Sequence, residues 1–138
     1  MGVFAMRDQA DGDRLVERIS PHTFPATLER VRRAIENAGL TVFAQIDHAA
    51  NAAEAGLSMP PAVVLVYGHA RGGTPLMLES PHAALDLPLR VLVRQDASGA
   101  SFVAFHPVAA MLVAAGVSAS TAARLEPAQA LLIQALSS

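Results

Sequence analysis

The sequence contains no cysteine, no lysine and no tryptophan. Without cysteine there is no disulfide, no thiolate nucleophile and no cysteine-ligated zinc or iron–sulfur centre. Because all 10 basic residues are arginines, Schiff-base chemistry, a lysine base and a lysine phosphate clamp are excluded as well. These absences remove several common classes of active site before any residue that is present has been considered.

Charge is also scarce. Charged residues make up 16% of the chain and hydrophobic residues 52%, with a formal net charge of −2. A chain so close to neutrality offers no electrostatic basis for binding nucleic acid or an anionic membrane surface. So few charged residues leave apolar surface uncovered, and we therefore expect a second copy of the chain to cover part of it in a homodimer.

Long apolar runs are missing too. No segment approaches the roughly 18 apolar residues of a membrane-spanning helix, and the first residues contain no apolar core of signal-peptide length. The sequence therefore predicts a cytoplasmic protein. Residues 1–12 are expected to be a flexible lead-in, and residues 13–138 a single domain of ordinary size.

Apolar periodicity predicts the first half of this domain. A strand is expected over residues 14–20, followed by a helix that is capped by Thr23 and ends at Gly39. A second strand over residues 40–46 follows, in which strict alternation places Leu40, Val42, Ala44 and Ile46 on one face. Asp47 or His48 then caps a short helix rich in alanine.

The second half continues with three strands and further helices. Residues 62–67 (AVVLVY) are apolar on both faces, as expected of a central strand. Residues 88–95 and 101–106 form two more strands joined by an Asp/Ser/Gly loop. Apolar helices follow, the last of them after Pro127. The order of elements predicts an α+β domain with one mainly antiparallel sheet packed against helices.

The segment GHARGGTP, residues 68–75, follows the central strand. It has the glycine spacing of a P-loop, but Thr74 stands where the lysine is required, and Pro75 removes an amide that a phosphate would use. A nucleotide site is therefore excluded. Thr74 is expected to cap a helix that begins at Pro75. Two interpretations stay open: a tight structural corner, or a site where Arg71 holds a small carboxylate or phosphate.

Histidines at strand ends are the second candidate feature. His48, His69 and His106 each follow a predicted strand. If these ends converge, the three imidazoles together with Asp47 would bind a metal or carry out acid–base chemistry. The alternative is that they are ordinary capping or solvated residues. No pair of histidines has the spacing of a helical metal site, and no metal or cofactor is predicted.

Two stretches of the sequence, residues 40–57 and 63–107, resemble the DUF302 family of small bacterial and archaeal domains. The resemblance is most specific from Gly68 to Pro88. It implies a TBP-like β-α-β4-α fold, with one curved, mainly antiparallel sheet packed against helices. The family has no settled activity, so the resemblance transfers no catalytic residue. His69 and the segment 105–107 depart from the family pattern, in which asparagine is common at the corresponding positions.

The leading hypothesis is a small-ligand-binding or stress-accessory domain without established catalysis, with a small anion as its ligand. The first alternative is a small enzyme that uses histidine and aspartate as acid and base, or a metal. The second is a purely structural homo-oligomeric module, since the apolar C-terminal helices are suited to packing across a two-fold axis. The candidate site residues are His69, Arg71, Gly72, Gly73 and Thr74, with His48 and His106 as further contributors.

Overall fold

One five-stranded antiparallel sheet organises the part of the chain that the computed structural model describes, residues 15–137. In the sheet the strands lie in the order β1-β5-β4-β3-β2, and every neighbouring pair is antiparallel. This confirms the predicted α+β class. The strands are β1 (Val16–Ser20), β2 (Thr41–Asp47), β3 (Ala62–Gly68), β4 (Leu89–Gln95) and β5 (Ser101–Phe105). The predicted lead-in lies outside the described residues.

Helices occupy the connections and the C-terminal part of the chain. The longest, α1, joins β1 to β2, and α2 joins β2 to β3. Two helices lie between β3 and β4, and three follow β5. The helices are α1 (Phe24–Asn37), α2 (His48–Glu54), α3 (Ala70–Glu79), α4 (Ala83–Asp86), α5 (Val108–Ala114), α6 (Ala119–Ala122) and α7 (Pro127–Gln134).

The core lies between one face of the sheet and the helices. Alternate residues of β3, namely Val63, Leu65 and Tyr67, are buried, and they pack with Val31 and Ile35 of α1. The period of two in a strand directs the intervening residues to the other face, which we call the open face. The open face carries Ala44, Ile46, Val64, Val66, Leu92, Ala104 and the charged residues Glu17, Arg90 and Arg94.

The ends of α1 follow directly from local sequence. The Thr23 hydroxyl accepts a hydrogen bond from the Ala26 N–H at 3.3 Å, which satisfies one of the free amides of the first turn. Gly39 has a φ of +81°, in the left-handed region that favours glycine. The Leu40 N–H then donates to the Ile35 carbonyl at 3.1 Å. Both predicted ends of the helix are confirmed.

The helix after β3 begins five residues before the predicted start at Pro75, and the prediction that Thr74 caps it is wrong. The capping residue is His69, whose Nδ1 accepts a hydrogen bond from the Arg71 N–H at 3.0 Å. Thr74 and Pro75 lie inside α3. Thr-Pro is a good local helix start, but the side chain of His69 supplies an acceptor earlier, and tertiary packing overrides weak local preferences.

Strict alternation also fails in β2. The register shifts between Val42, which lies opposite Tyr67, and Ala44, which lies opposite Val66. Because Tyr67 belongs to the buried face and Val66 to the open face, Val42 and Ala44 point to opposite sides, contrary to the prediction. A β-bulge adds one residue to a strand and reverses the alternation beyond it, and it leaves no signature here in the sequence.

A buried glutamine ties α7 to the end of the sheet. Gln129 Oε1 accepts a hydrogen bond from the Val108 N–H, and Gln129 Nε2 donates one to the His106 carbonyl, both at 2.9 Å. Leu132 of this helix and Leu136, which lies two residues beyond its end, are buried in the chain's own core. Leu131 and Ile133 of α7 are partly exposed, and packing of the C-terminal helices against a second copy stays a prediction.

Candidate functional site

A pocket of about 300 Å³ lies where the end of β3 meets the first turns of α3 and the segment that enters β4. Its floor and walls are apolar, and its two polar side chains, His69 and Thr74, are exposed at the rim. Gly68, Gly72 and Gly73 contribute backbone to the wall. The main apolar side chains are Leu40, Phe43, Met77, Leu87, Leu89 and Leu125.

The walls of this pocket come from three distant parts of the chain. The bulge in β2 brings Phe43 near the end of β3, so that a Cβ built on Gly68 would lie 3.9 Å from Phe43 Cε2. Leu125 lies in the turn of 3₁₀ helix before α7. Ala128 also lines the pocket, and its carbonyl accepts a hydrogen bond from the Tyr67 hydroxyl at 2.8 Å. Burial raises the pKa of Tyr67, so the hydroxyl remains a donor.

His69 is held in one tautomer by its capping role. Since Nδ1 accepts the Arg71 N–H, it carries no proton, and in the neutral ring the proton resides on Nε2. The neutral ring therefore has one remaining hydrogen-bond donor, Nε2–H, and His69 is among the residues that line the pocket. Thr74 adds a hydroxyl that both donates and accepts.

Four of the seven predicted site residues line this pocket: His69, Gly72, Gly73 and Thr74. Arg71 does not line it and is exposed. Among residues 15–137, none that lines the pocket has a cationic side chain. Arg71, which the sequence analysis predicted would hold an anion, therefore lies outside the cavity that its neighbours in the sequence line.

The other two predicted residues, His48 and His106, line a second, larger depression of about 660 Å³ that covers much of the open face of the sheet. Residues of the strands supply both the charged and the apolar side chains of this depression. The Arg94 guanidinium lies 3.2 Å from the Glu17 carboxylate and 4.5 Å from the centre of the Phe102 ring. The depression is therefore amphipathic, with charged side chains interspersed among apolar ones.

The histidines do not gather at one point. In the antiparallel β2–β3 pair, Asp47 lies opposite Val63 and Thr41 opposite Gly68, so His48 and His69 follow opposite ends of the sheet. Asp47 caps α2, with its Oδ1 accepting the Ala50 N–H at 2.9 Å. Within residues 15–137 no three histidine, aspartate or glutamate side chains are placed to hold a metal ion. The acid–base alternative retains Asp86 and His106, which line the same depression.

Sequence reasoning missed the pocket residues that lie far from the glycine segment. The predicted alternation placed Phe43 on the other face of its strand from Val42, and neither Phe43 nor Leu125 was a candidate site residue. The one signal in the sequence is the aromatic side chain of Phe43 in a predicted strand. In the structure this strand lies at the edge of the sheet, and Phe43 is 54% exposed. The bulge that places it was not visible in the sequence.

These features define a small α+β domain with one antiparallel sheet, helices on one face and an apolar pocket at one end. The family model described as "Domain of unknown function DUF302" matches residues 16–138, and the chain belongs to this family. A crystal structure of an uncharacterised conserved DUF302 protein from Bacillus stearothermophilus superposes with a TM-score of 0.76. The identity is 18%, over 88% of this chain and 94% of that chain, and the likeness shows the fold.

Curated relatives of part of this chain carry the name of an ion channel. The chain is 41% identical over 85 residues to the fluoride-specific ion channel FluC 1 of Brucella suis biovar 1 (strain 1330). The matched segment covers 62% of this chain and 34% of that protein. The identity and the share of this chain are the same for FluC 1 of Brucella abortus biovar 1 (strain 9-941), with 32% of that protein covered. The chain therefore spans about a third of the length of the curated relatives that it matches.

A helix that crosses a bilayer needs about 20 consecutive, mostly apolar residues. Within residues 15–137 no helix is both long enough and apolar enough to cross a membrane. A cytoplasmic location stays a prediction.

Proposed function

We propose that this chain is a small-molecule-binding domain whose ligand occupies the pocket beside His69 and Thr74. The observation that supports this proposal is a concave apolar cavity with polar groups only at its rim. That combination is typical of ligand sites, whose volumes run from roughly 300 to 1,000 Å³. The volume of about 300 Å³ is at the lower end of that range, which favours a small ligand.

Replacement of Gly73 by leucine tests this proposal. A Cβ at this position would lie 3.7 Å from Leu87 Cδ1 and 3.8 Å from Met77 Cε, so the remaining atoms of a leucine would fill the cavity. We expect the wild-type protein to bind members of a set of small aromatic fragments in ligand-observed NMR, and Gly73→Leu to lose at least about tenfold in affinity, or 1.4 kcal/mol.

The matched control is Leu78→Ala, a change in the same helix at a side chain that is 79% exposed and does not line the pocket. This variant is expected to bind as the wild type does. Circular dichroism checks that both variants are folded. The proposal fails if the wild-type protein binds none of the fragments, or if folded Gly73→Leu binds them unchanged.

The curated relatives favour a second candidate, an accessory role in fluoride resistance. Their matched segment is about a third of proteins named as fluoride-specific ion channels. The experiment expresses a fluoride channel in a bacterium that lacks its own, with and without this chain. We expect the chain to raise the fluoride concentration that halves growth, and Gly73→Leu to abolish the gain if the pocket is involved. Equal tolerance with and without the chain rejects this role.

We also propose that the chain forms a homodimer through the open face of the sheet. Three large apolar side chains are exposed on this side: Leu15 at 53%, Ile19 at 64% and Ile46 at 37%. Val64 and Leu92 lie beside them, and contiguous exposed apolar surface is typical of interaction sites. The same depression holds two arginines, Arg90 and Arg94, and two acidic residues, Glu17 and Asp86. Because these charges balance, two copies can approach about a two-fold axis without net repulsion.

A further inference from the structure

Two adjacent glycines occupy the first turns of α3, although the backbone does not require them there. Neither Gly72 nor Gly73 has a positive φ. Glycine in a helix is less stable than alanine, because it loses more conformational freedom on folding. The two glycines therefore make this helix less stable than alanines would, and a left-handed backbone conformation does not explain their presence.

Steric crowding does not explain the pair either. A Cβ on Gly72 would lie 3.6 Å from Leu125 Cδ2, and a Cβ on Gly73 would lie 3.7 Å from Leu87 Cδ1. Both are ordinary van der Waals distances, so alanine fits at either position within this chain. Both glycines line the apolar pocket. The space that two methyl groups would occupy is kept free on the wall of that cavity, which indicates an occupant.

We propose that this pocket binds a small, uncharged, largely apolar molecule that carries one hydrogen-bond acceptor, with an aryl or alkyl ketone as the simplest chemical class. This inference rests on the proposed function and specifies its ligand. It differs from the small anion that the sequence predicts, and the difference comes from the lining of the cavity.

The lack of charge in the part of the lining that the structure describes selects against an anion. There the polar side chains are those of His69 and Thr74, and the neighbouring Arg71 does not line the pocket. A carboxylate placed among leucine, phenylalanine and methionine side chains would lose its hydration without gaining a cation. An uncharged ligand avoids that cost.

The hydrogen bonds of His69 select for an acceptor. Its Nδ1 is occupied by the Arg71 N–H at 3.0 Å, which leaves Nε2–H as the free donor of the neutral ring. A carbonyl oxygen accepts a hydrogen bond from this donor, whereas an ammonium group has no lone pair with which to accept one. The cavity also limits size: an apolar cavity of about 150 Å³ holds benzene, so one of about 300 Å³ accommodates a substituted benzene.

Three probes that share one ring and similar size test these statements: acetophenone, which carries an acceptor; ethylbenzene, which has none; and benzoate, which is charged. Each is titrated at pH 7 into the full chain and followed by chemical shifts of the backbone amides. We expect acetophenone to bind about three- to tenfold more tightly than ethylbenzene, the ratio that one net hydrogen bond supplies. Benzoate is expected to leave the amides of the pocket unshifted.

The double variant Gly72→Ala/Gly73→Ala supplies the second readout. We expect it to have a higher melting temperature than the wild type, because alanine favours the helix, and to bind acetophenone at least about tenfold more weakly, because the methyl groups occupy the cavity. Leu78→Ala in the same helix is the control, with wild-type binding. A loss of affinity together with a gain of stability separates a binding role from a structural one.

The outcomes that overturn the inference are distinct. Tighter binding of benzoate than of acetophenone overturns the uncharged class while the proposed binding function stands. Equal binding of acetophenone and ethylbenzene overturns the acceptor. A lower melting temperature of the double variant shows that the fold itself needs the glycines, which removes the argument for an occupant. If none of the probes binds and the fragment set also fails, both this inference and the proposed function are rejected.

Discussion

Replacement of Gln129 by leucine is expected to lower the free energy of unfolding by about 2–4 kcal/mol. The side chain is only 6% exposed, and its amide makes two hydrogen bonds of 2.9 Å to main-chain groups. Leucine has a similar volume, so packing changes little. The Val108 N–H, on a residue that is 0% exposed, is left buried without an acceptor, and such a group costs its full desolvation energy. Urea denaturation followed by circular dichroism measures the difference.

The same helix offers a matched control for this prediction. Gln134 is exposed, and Gln134→Leu makes the identical chemical change where no buried group depends on it. It is expected to alter the free energy of unfolding by less than about 0.5 kcal/mol. Gln129→Glu should lose at least as much as Gln129→Leu, since the carboxylate accepts the Val108 N–H but is desolvated and faces the His106 carbonyl with no proton to donate. Equal effects of Gln129→Leu and Gln134→Leu would contradict the structural role.

Leu92→Glu is expected to convert a homodimer into a monomer and so to halve the mass measured by light scattering. Leu92 lies on the open face, opposite Val64 on one side and Ala104 on the other. At the middle of the sheet it would meet the partner copy in a two-fold interface. A carboxylate there would be desolvated without a partner, which costs several kcal/mol of association energy.

Leu78→Glu introduces the same carboxylate on α3, at a side chain that is 79% exposed and lies outside the depression. This control is expected to keep the mass of the wild type. Thermal unfolding checks that both variants are folded. A monomeric wild type at micromolar concentration would remove the proposed interface. A control that dissociates as readily as Leu92→Glu would show that the effect does not come from the open face.

Much of the fold could be predicted from short-range patterns in the sequence. The apolar run of β3 and the loop between β4 and β5 were predicted as they occur. In that loop Asp96 accepts hydrogen bonds from the Ser98 hydroxyl at 2.7 Å and from two main-chain amides. The hydrogen bond from the Ser98 side chain is the main cause that lowers the pKa of Asp96. Such turns depend on residues that are adjacent in sequence, and local chemistry is sufficient to predict them.

Only part of the candidate site could be predicted from the sequence, because local patterns identify only residues that are neighbours in the chain. His69, Gly72, Gly73 and Thr74 line one pocket because they are neighbours in the chain. Their sequence could not show that Arg71 would lie outside, since its direction depends on where α3 begins. Phe43 and Leu125 complete the wall from positions about 30 and 50 residues away, and their placement depends on a bulge and on the docking of the C-terminal helices.

The sequence by itself determined the classes of chemistry that this protein lacks, the alternation of its strands and helices, and its membership of one family. These follow from composition, from periodicities of a few residues and from similarity along the chain. Only the tertiary structure decided that the glycine segment borders an apolar cavity and that His48 lies at the other end of the sheet from His69. Strand register and helix docking set those positions, and both arise from contacts between residues far apart in the chain.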